Sequence, residues 1–524
     1  LKERITLDEL DKVVPIEAWQ KRTAPSVLIG VADIPQAQKQ EAVAIDLSKD
    51  GNILLYGSPG TGKTTFLQTA AMDLARKQSP ENLTMYLLDF GTNGLAPLTQ
   101  LPHVADSLLL DQTEKIQKFI RIINRELDRR KKLLSEHGVG TIALYREVTG
   151  KQEPTMVILM DSYESMKDEP YETDLFKLFM RISREGLSIG VHLIITASRQ
   201  NNLRAQLYSN FKHQLTLPQN DLSEVRGIVG ATPLASTMED IKGRALMKRD
   251  EVDVVQFALP VAGDNDIQII NNLRDQVQSL KEMWTGRTPA GIPMVPDELT
   301  EVAFYGREDV AALLDEGKVP LGLDLENVQP LSWDLIKGNL LYIFEQEWQK
   351  LNIINTMLLS FEKLHFDSIL LTTSKSQKQS RISNEIDSPL GRKNAIEEMY
   401  DLVSENIDLD EVLPKPMVII WDGIGDLIQE NEVLSDKILY IMTNGPKVKV
   451  YSFITTLPML SNSLNVVSKF IKQLKYAVVE MRLNDQKIIS VSNVKYSEPT
   501  LKKSVAYMVD GNHYQTMKLV KGVE

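Results

Sequence analysis

The nine residues Gly57-Ser58-Pro59-Gly60-Thr61-Gly62-Lys63-Thr64-Thr65 follow a strand-like apolar run, Asn52–Tyr56, and open an amphipathic helical pattern, Phe66–Arg76. Glycines at this spacing let a backbone wrap an anion with its N–H groups turned inward, and a side chain at Gly62 would obstruct that wrap. The N-terminus of the helix that follows favours negative charge at the same place. A lysine and a hydroxyl complete the chemistry: Lys63 reaches the β- and γ-phosphates of a nucleotide, and Thr64 supplies a ligand to Mg²⁺. The stretch reads as a phosphate loop, with Gly57, Ser58, Pro59, Gly60, Thr61, Gly62, Lys63, Thr64 and Thr65 as ATP-binding residues. A glycine-rich turn without ligand is the alternative, and the full spacing and context argue against it.

The partners of such a loop are sought at the ends of other apolar strands. Asp161 closes Met156–Met160 and is read as the second Mg²⁺ residue beside Thr64. A glutamate directly after that aspartate polarises the attacking water in many ATPases of this architecture; here the position holds Ser162. The nearest carboxylate is Glu164, which either takes the catalytic role or is an ordinary acid at a helix start. ATP binding is therefore expected, and fast hydrolysis is not. Thr196 and Ser198 end the next apolar strand, where a hydroxyl either senses the γ-phosphate or simply closes the strand. Arg181, Arg184 and Arg199 stand nearby as arginine-finger candidates.

The chain is also written twice. Alternating strand-like and helical segments indicate an α/β fold with mainly parallel sheets flanked by helices. Gly51-Asn52-Ile53-Leu54-Leu55-Tyr56 aligns with Gly338-Asn339-Leu340-Leu341-Tyr342-Ile343, and Leu28-Ile29-Gly30 with Pro320-Leu321-Gly322. Met156–Asp161 aligns with Met417–Asp422, and His192–Thr196 with Tyr451–Thr455; a hairpin-like stretch, Ala245–Met247 or Ala506–Met508, ends each copy. Two tandem RecA-like P-loop domains follow, over 1–262 and 297–524, with 263–296 as linker around the Pro/Gly-rich Gly286–Pro296. In the second copy the loop has become Phe344-Glu345-Gln346-Glu347-Trp348-Gln349-Lys350-Leu351-Asn352. The lysine survives, the glycines are gone, Leu351 replaces the hydroxyl, and Glu345 and Glu347 would repel phosphate. Asp422 persists, followed by Gly423. This copy is read as unable to bind ATP and retained for docking or regulation.

Composition narrows the function. A net charge of −12 over 524 residues argues against a general grip on DNA or RNA, and the basic stretch Arg121–Lys132 reads as a solvated helix face. With no cysteine, disulfides, thiolate zinc sites and a cysteine nucleophile are excluded. No apolar run approaches the ~20 residues that cross a bilayer. The chain begins at Leu1 and is read as a piece of a longer protein.

Further residues give the chain a family likeness: Asp33-Ile34-Pro35 with Gln38 and Gln40, Leu88-Asp89-Phe90-Gly91 with Leu95, and Leu101-Pro102-His103-Val104. To these are added Arg129-Arg130 ending a helix, Gly190-Val191-His192-Leu193, Gly243-Arg244-Ala245 and Pro293–Leu299. With the phosphate loop, they resemble tandem ATPase modules of the FtsK/SpoIIIE type, in the form found in the type VII secretion motor (the EssC/EccC family). The resemblance implies the last two of three ATPase modules of a membrane-anchored motor, at the cytoplasmic face of the membrane and held there by segments outside this chain. It implies a hexameric assembly, ATP and Mg²⁺ at the first module, and secreted WXG-type helical proteins and other secretion-machine components as partners, the last module recruiting cargo. DNA-translocating relatives carry Asp-Glu at Asp161-Ser162 and a winged-helix tail that this chain lacks, so no nucleic-acid partner is expected. A DNA translocase and a non-hydrolysing, ATP-bound scaffold are the competing functions.

Overall fold

Strands β1 (Ser26–Ile34), β2 (Lys39–Asp46), β3 (Ile53–Tyr56), β4 (Leu83–Asp89) and β5 (Val104–Leu109) come first. They are joined by β6 (Thr155–Asp161), β7 (Val191–Ala197), β8 (His213–Thr216), β9 (Arg244–Lys248) and β10 (Val252–Phe257) in one sheet of order β2-β1-β10-β9-β8-β3-β7-β6-β4-β5. The computed structural model describes residues 1–21, 23–35, 38–373 and 385–522, in two units, Leu1–Ile292 and Pro293–Glu524. In the first unit β3 to β8 run parallel, and β1, β2, β9 and β10 form an antiparallel flank. Parallel strands need crossovers, which the helices Lys63–Lys77, Thr113–Glu136 and Glu172–Ile189 supply. Successive side chains alternate between faces: Ile53 and Leu55 enter one core with Phe66 and Leu67, while Leu54 and Tyr56 enter the other with Phe119 and Phe179. Burial on both faces explains why these strands are uninterruptedly apolar. The phosphate loop, Asp161 and Ala197 all lie at the C-terminal ends of central strands, the edge where open parallel sheets bind ligands.

The second unit repeats this plan strand for strand. Its strands are β11 (Val319–Asp324), β12 (Pro330–Trp333), β13 (Leu340–Phe344), β14 (Asp367–Thr372), β15 (Glu385–Ile386), β16 (Met417–Asp422), β17 (Val450–Thr456), β18 (Tyr476–Glu480), β19 (Val505–Asp510) and β20 (His513–Leu519). Their order, β12-β11-β20-β19-β18-β13-β17-β16-β14-β15, is the first sheet's order with ten added to every number. Buried details agree with the aligned residues. Asn52 accepts a hydrogen bond from Leu193 N–H at 2.8 Å, and Asn339 one from Ser452 N–H at 2.9 Å. A Cβ at Gly30 would lie 2.0 Å from the Gln256 carbonyl, and one at Gly322 2.1 Å from that of Lys518. Ser162 and Gly423, each following the strand-end aspartate, both have left-handed backbones, with φ +61° and +72°.

Three expectations are corrected. The stretch 263–296 is not all linker: Asp266–Met283 is a helix whose Ile269, Leu273, Val277 and Leu280 join the first unit's core. Those residues recur at helical spacing, and Asn265 caps the helix by accepting from Gln268 N–H. The pair Arg129-Arg130 does not end its helix, which continues to Glu136. The face Arg121–Lys132 is not wholly solvated, because Arg130 is 1% exposed and donates to the carbonyls of Ile189 and Pro154. The expected terminal hairpins are present as β9–β10 and β19–β20. Among the described residues no helix is long and apolar enough to cross a membrane.

Candidate functional site

The loop after β3 is held in shape by its own strands. Gly57 N–H donates to Ala197, Ser58 N–H to Pro218, and Gly243 N–H to the Thr61 carbonyl. Gly62 caps the helix with φ +115°, a region that favours glycine, and a Cβ there would lie 3.3 Å from Gly243 N. The first helical bond is Phe66 N–H to the Gly62 carbonyl, so the N–H groups of Lys63, Thr64 and Thr65 point out of the helix start, as an anion requires. Lys63 donates to the carbonyls of Gly57 at 2.6 Å and Ser58 at 3.0 Å. Burial pulls its pKa below the ordinary lysine value, against the pull of Glu164 and Asp161.

Thr64 and Asp161, read from the sequence as Mg²⁺ residues, lie side by side. Thr64 Oγ1 donates to Asp161 Oδ2 at 2.7 Å, and Thr196 Oγ1 to Asp161 Oδ1 at 2.6 Å. Ser162 N–H in turn donates to Thr196 Oγ1 at 3.1 Å. Thr196 thus fixes the aspartate and the turn after it and is wholly buried. A hydroxyl and a carboxylate side by side at the mouth of a phosphate loop are the hard oxygen donors that suit Mg²⁺.

Glu164 lies in the short turn Tyr163–Met166 and faces Ser198. Ser198 donates to it twice, from N–H at 3.2 Å and from its hydroxyl. Ser198 is therefore engaged with the carboxylate. Of the arginines, Arg181 is bound to Asp128 at 2.6 Å, Glu185 and Asn124, Arg199 faces Glu224 at 3.4 Å, and Arg184 is exposed. Residues that sequence reasoning gave no role also build the site. Gly243 buttresses the loop, and the strand-end acid Asp89 is the register partner of Asp161. The signal for Asp89 was present: it closes the apolar run Leu83–Leu88 as Asp161 closes its own.

The second copy shows what replaces a lost phosphate site. Its helix Glu347–Leu364 starts where Gly60 stands in the first copy, so helix consumes the loop. Gln349 Oε1 accepts the N–H groups of Glu345 at 3.0 Å and Gln346 at 2.8 Å, occupying donors that a phosphate would need. Lys350 turns inward, 3.0 Å from Asp422 and 2.5 Å from Glu347, with its side chain 3% exposed. Burial opposes its charge, but the two carboxylates prevail and raise its pKa. Next to Gln349, Glu480 accepts from the Tyr342 hydroxyl, and burial pushes its carboxyl up to about 7. A cavity of about 650 Å³ opens at this mouth between Phe344, Ile428, Leu457, Met459 and Leu464.

Fold and site together define a tandem P-loop ATPase module in which one copy has kept the phosphate loop and the other has sealed it. The FtsK/SpoIIIE family model matches residues 16–233, which lie within the first unit. The chain is 30% identical over 501 residues to the type VII secretion system protein EssC of Staphylococcus aureus (strain MSSA476), covering 94% of this chain and 33% of that protein. It spans about a third of the length of that relative. Among solved structures, EssC (ATPases 2 and 3) from Geobacillus thermodenitrificans superposes with a TM-score of 0.89 at 26% identity, covering 100% of this chain and 99% of the other. Thermomonospora curvata EccC (ATPases 2 and 3), solved in complex with a signal sequence peptide, shares the fold with a TM-score of 0.61 at 19% identity over 100% of this chain and 99% of that one. The relatives that align over 93–94% of this chain, EssC of Staphylococcus aureus and YukB of Bacillus subtilis, are type VII and ESX secretion system proteins.

Proposed function

We propose that this chain is the motor segment of a type VII protein secretion machine in which the first unit binds ATP with Mg²⁺ and the second captures cargo without nucleotide. Lys63 and the loop Gly57–Thr65 hold the phosphates, while Thr64 and Asp161 hold the metal. Glu164 is the carboxylate available to act on water. The cargo is a small WXG-type helical protein, and the full-length protein assembles as a hexamer at the cytoplasmic face of the membrane.

The observation that carries the division of labour is the internal Lys350–Asp422 pair at 3.0 Å, which neutralises the second site from within. Next to it stands an apolar mouth, with Met459 70% and Leu464 80% exposed. An amphipathic helix docks on such a surface through anchors one turn apart. The signal-peptide complex of the Thermomonospora curvata protein supports a peptide-binding role for modules of this fold.

The test is capture of a WXG-type protein by the full chain, with and without ATP. Capture independent of nucleotide, and weakened about tenfold or more by Leu464→Asp with Met459→Asp, is the expected result, since buried apolar anchors are each worth about 1.5–3 kcal/mol. Capture that needs ATP, or that ignores both substitutions, would contradict it.

A further inference from the structure

The metal end of the first sheet holds two carboxylates. Asp89 ends β4, Asp161 ends β6, and the two are register partners on neighbouring parallel strands. Their side chains therefore leave the sheet on the same face. Asp89 is 3% exposed; Leu95 N–H donates to its Oδ2 at 2.8 Å and the N–H groups of Gly91 and Asn93 also face the carboxylate, while Oδ1 has no partner of full hydrogen-bond geometry. A buried carboxylate oxygen left unpaired is costly, so its retention calls for a ligand. The donors that Asp161 receives are two neutral threonine hydroxyls, and Lys63 is turned to the loop carbonyls. No cationic side chain is bonded to either acid among the described residues.

The loop after Asp89 is fitted to the same place. A Cβ at Gly94 would lie 2.3 Å from Thr64 Cγ2, and one at Gly91 3.2 Å from Asp161 Oδ2. Gln68 holds this loop by donating to the Gly94 carbonyl at 2.7 Å. The segment that carries Asp89 is thus packed against the Thr64 methyl and the Asp161 carboxylate.

The second copy is the internal control. There the register partner of Asp422 is Thr372, whose hydroxyl reaches Asp422 at 2.6 Å, so a side chain at this position does face the strand-end aspartate. The copy that has Leu351 in place of Thr64 also has a neutral donor in place of the second acid, and its retained Lys350 is turned inward onto Asp422 as an internal cation. Acid, hydroxyl and the space for a cation were lost together.

We propose that Asp89 is a second carboxylate of the first unit's Mg²⁺ site, its free Oδ1 accepting a hydrogen bond from a metal-bound water alongside Asp161. The inference rests on the reading of this unit as an ATP·Mg²⁺ site. It is tested by calorimetric titration of the full chain with the non-hydrolysable analogue adenosine 5′-(β,γ-imido)triphosphate, in EDTA and across a range of MgCl₂. Asp89→Asn and Asp89→Thr should each need about tenfold more Mg²⁺ than the natural chain for half of the metal-dependent gain over that variant's own binding in EDTA, as expected for one lost charge-assisted bond. A natural Mg²⁺ dependence in both variants would overturn the role of Asp89 and leave the nucleotide site standing. Failure of the natural chain to bind the analogue at any Mg²⁺ level would overturn both. If the variants do not fold, a crystal structure of the natural chain with the analogue and Mn²⁺ decides the matter. A manganese-bound water within hydrogen-bond distance of Asp89 Oδ1 supports the assignment, and its absence there overturns it.

Discussion

Lys63 and Lys350 occupy the same register position and have opposite lives. The first is bonded to neutral carbonyls, and burial lowers its pKa; the second is locked between Asp422 and Glu347, which raise its pKa. A lysine kept for phosphate is one the fold can spare, whereas a lysine buried against an aspartate is one it cannot. Lys350→Met or Asp422→Asn alone should therefore destabilise the second unit by about 3–5 kcal/mol, and the double variant should recover part of the loss. Denaturant unfolding of the four proteins checks this, and additive losses would refute the buried pair. Lys63→Met should leave stability nearly unchanged and abolish nucleotide binding. Turnover is a separate matter, because Ser162 stands after Asp161 and Glu164 is bound to Ser198. Hydrolysis by this chain should stay below ~1 s⁻¹, the low end for phosphoryl-transfer enzymes. A faster rate that falls in Glu164→Gln would show that Glu164 does act on water.

At the scale of strands and helices, the sequence revealed the duplication because its aligned positions are those a sheet cannot vary freely. Asn52 and Asn339 bond the neighbouring strand, and Gly30 and Gly322 meet a carbonyl too closely for a Cβ. The helix Asp266–Met283 was harder to see, since its four apolar contacts are diluted by asparagine, glutamine and charge beside a Pro/Gly-rich run. The sealed loop was half legible: the missing glycines and hydroxyl were plain, but not that Gln349 would cap the freed N–H groups or that Lys350 would turn onto Asp422. Those arrangements depend on where the helix starts, which the retained lysine does not fix.

The same elements set opposite pH responses. Glu480, at the end of β18, is raised from 4.5 to about 7, so between those values only the unfolded chain ionises it. Its stabilising effect is complete below about pH 4.5 and is lost by pH 7, at most about 3 kcal/mol for the second unit. His103 and His192 of the first unit are lowered from 6.5 to about 4 by burial, so their contribution holds above pH 6.5 and fades as the pH falls. Thermal scans should show two transitions moving in opposite directions between about pH 5 and 6.5, and Glu480→Gln should flatten the second. Transitions that move together in the natural chain would contradict this assignment.

For the whole molecule, the account is one fold used twice with its chemistry kept once. Both sheets have the same ten-strand order, so the difference between the units does not lie in architecture. It lies in a few residues at the ends of β3, β4 and β6 and their counterparts on β13, β14 and β16. Where the glycines, Thr64 and Asp89 stand beside Lys63 and Asp161, the proposed phosphate and metal site is left open; where Gln349, Leu351 and Thr372 stand instead and the retained Lys350 turns onto Asp422, the protein satisfies itself. The most direct test is the number of nucleotides the full chain takes up in calorimetry with the imido analogue and Mg²⁺. The account predicts one site per chain, abolished by Lys63→Ala with Thr64→Ala and untouched by Lys350→Met. Two equivalent sites, or binding that survives the double substitution in the first unit, would contradict it.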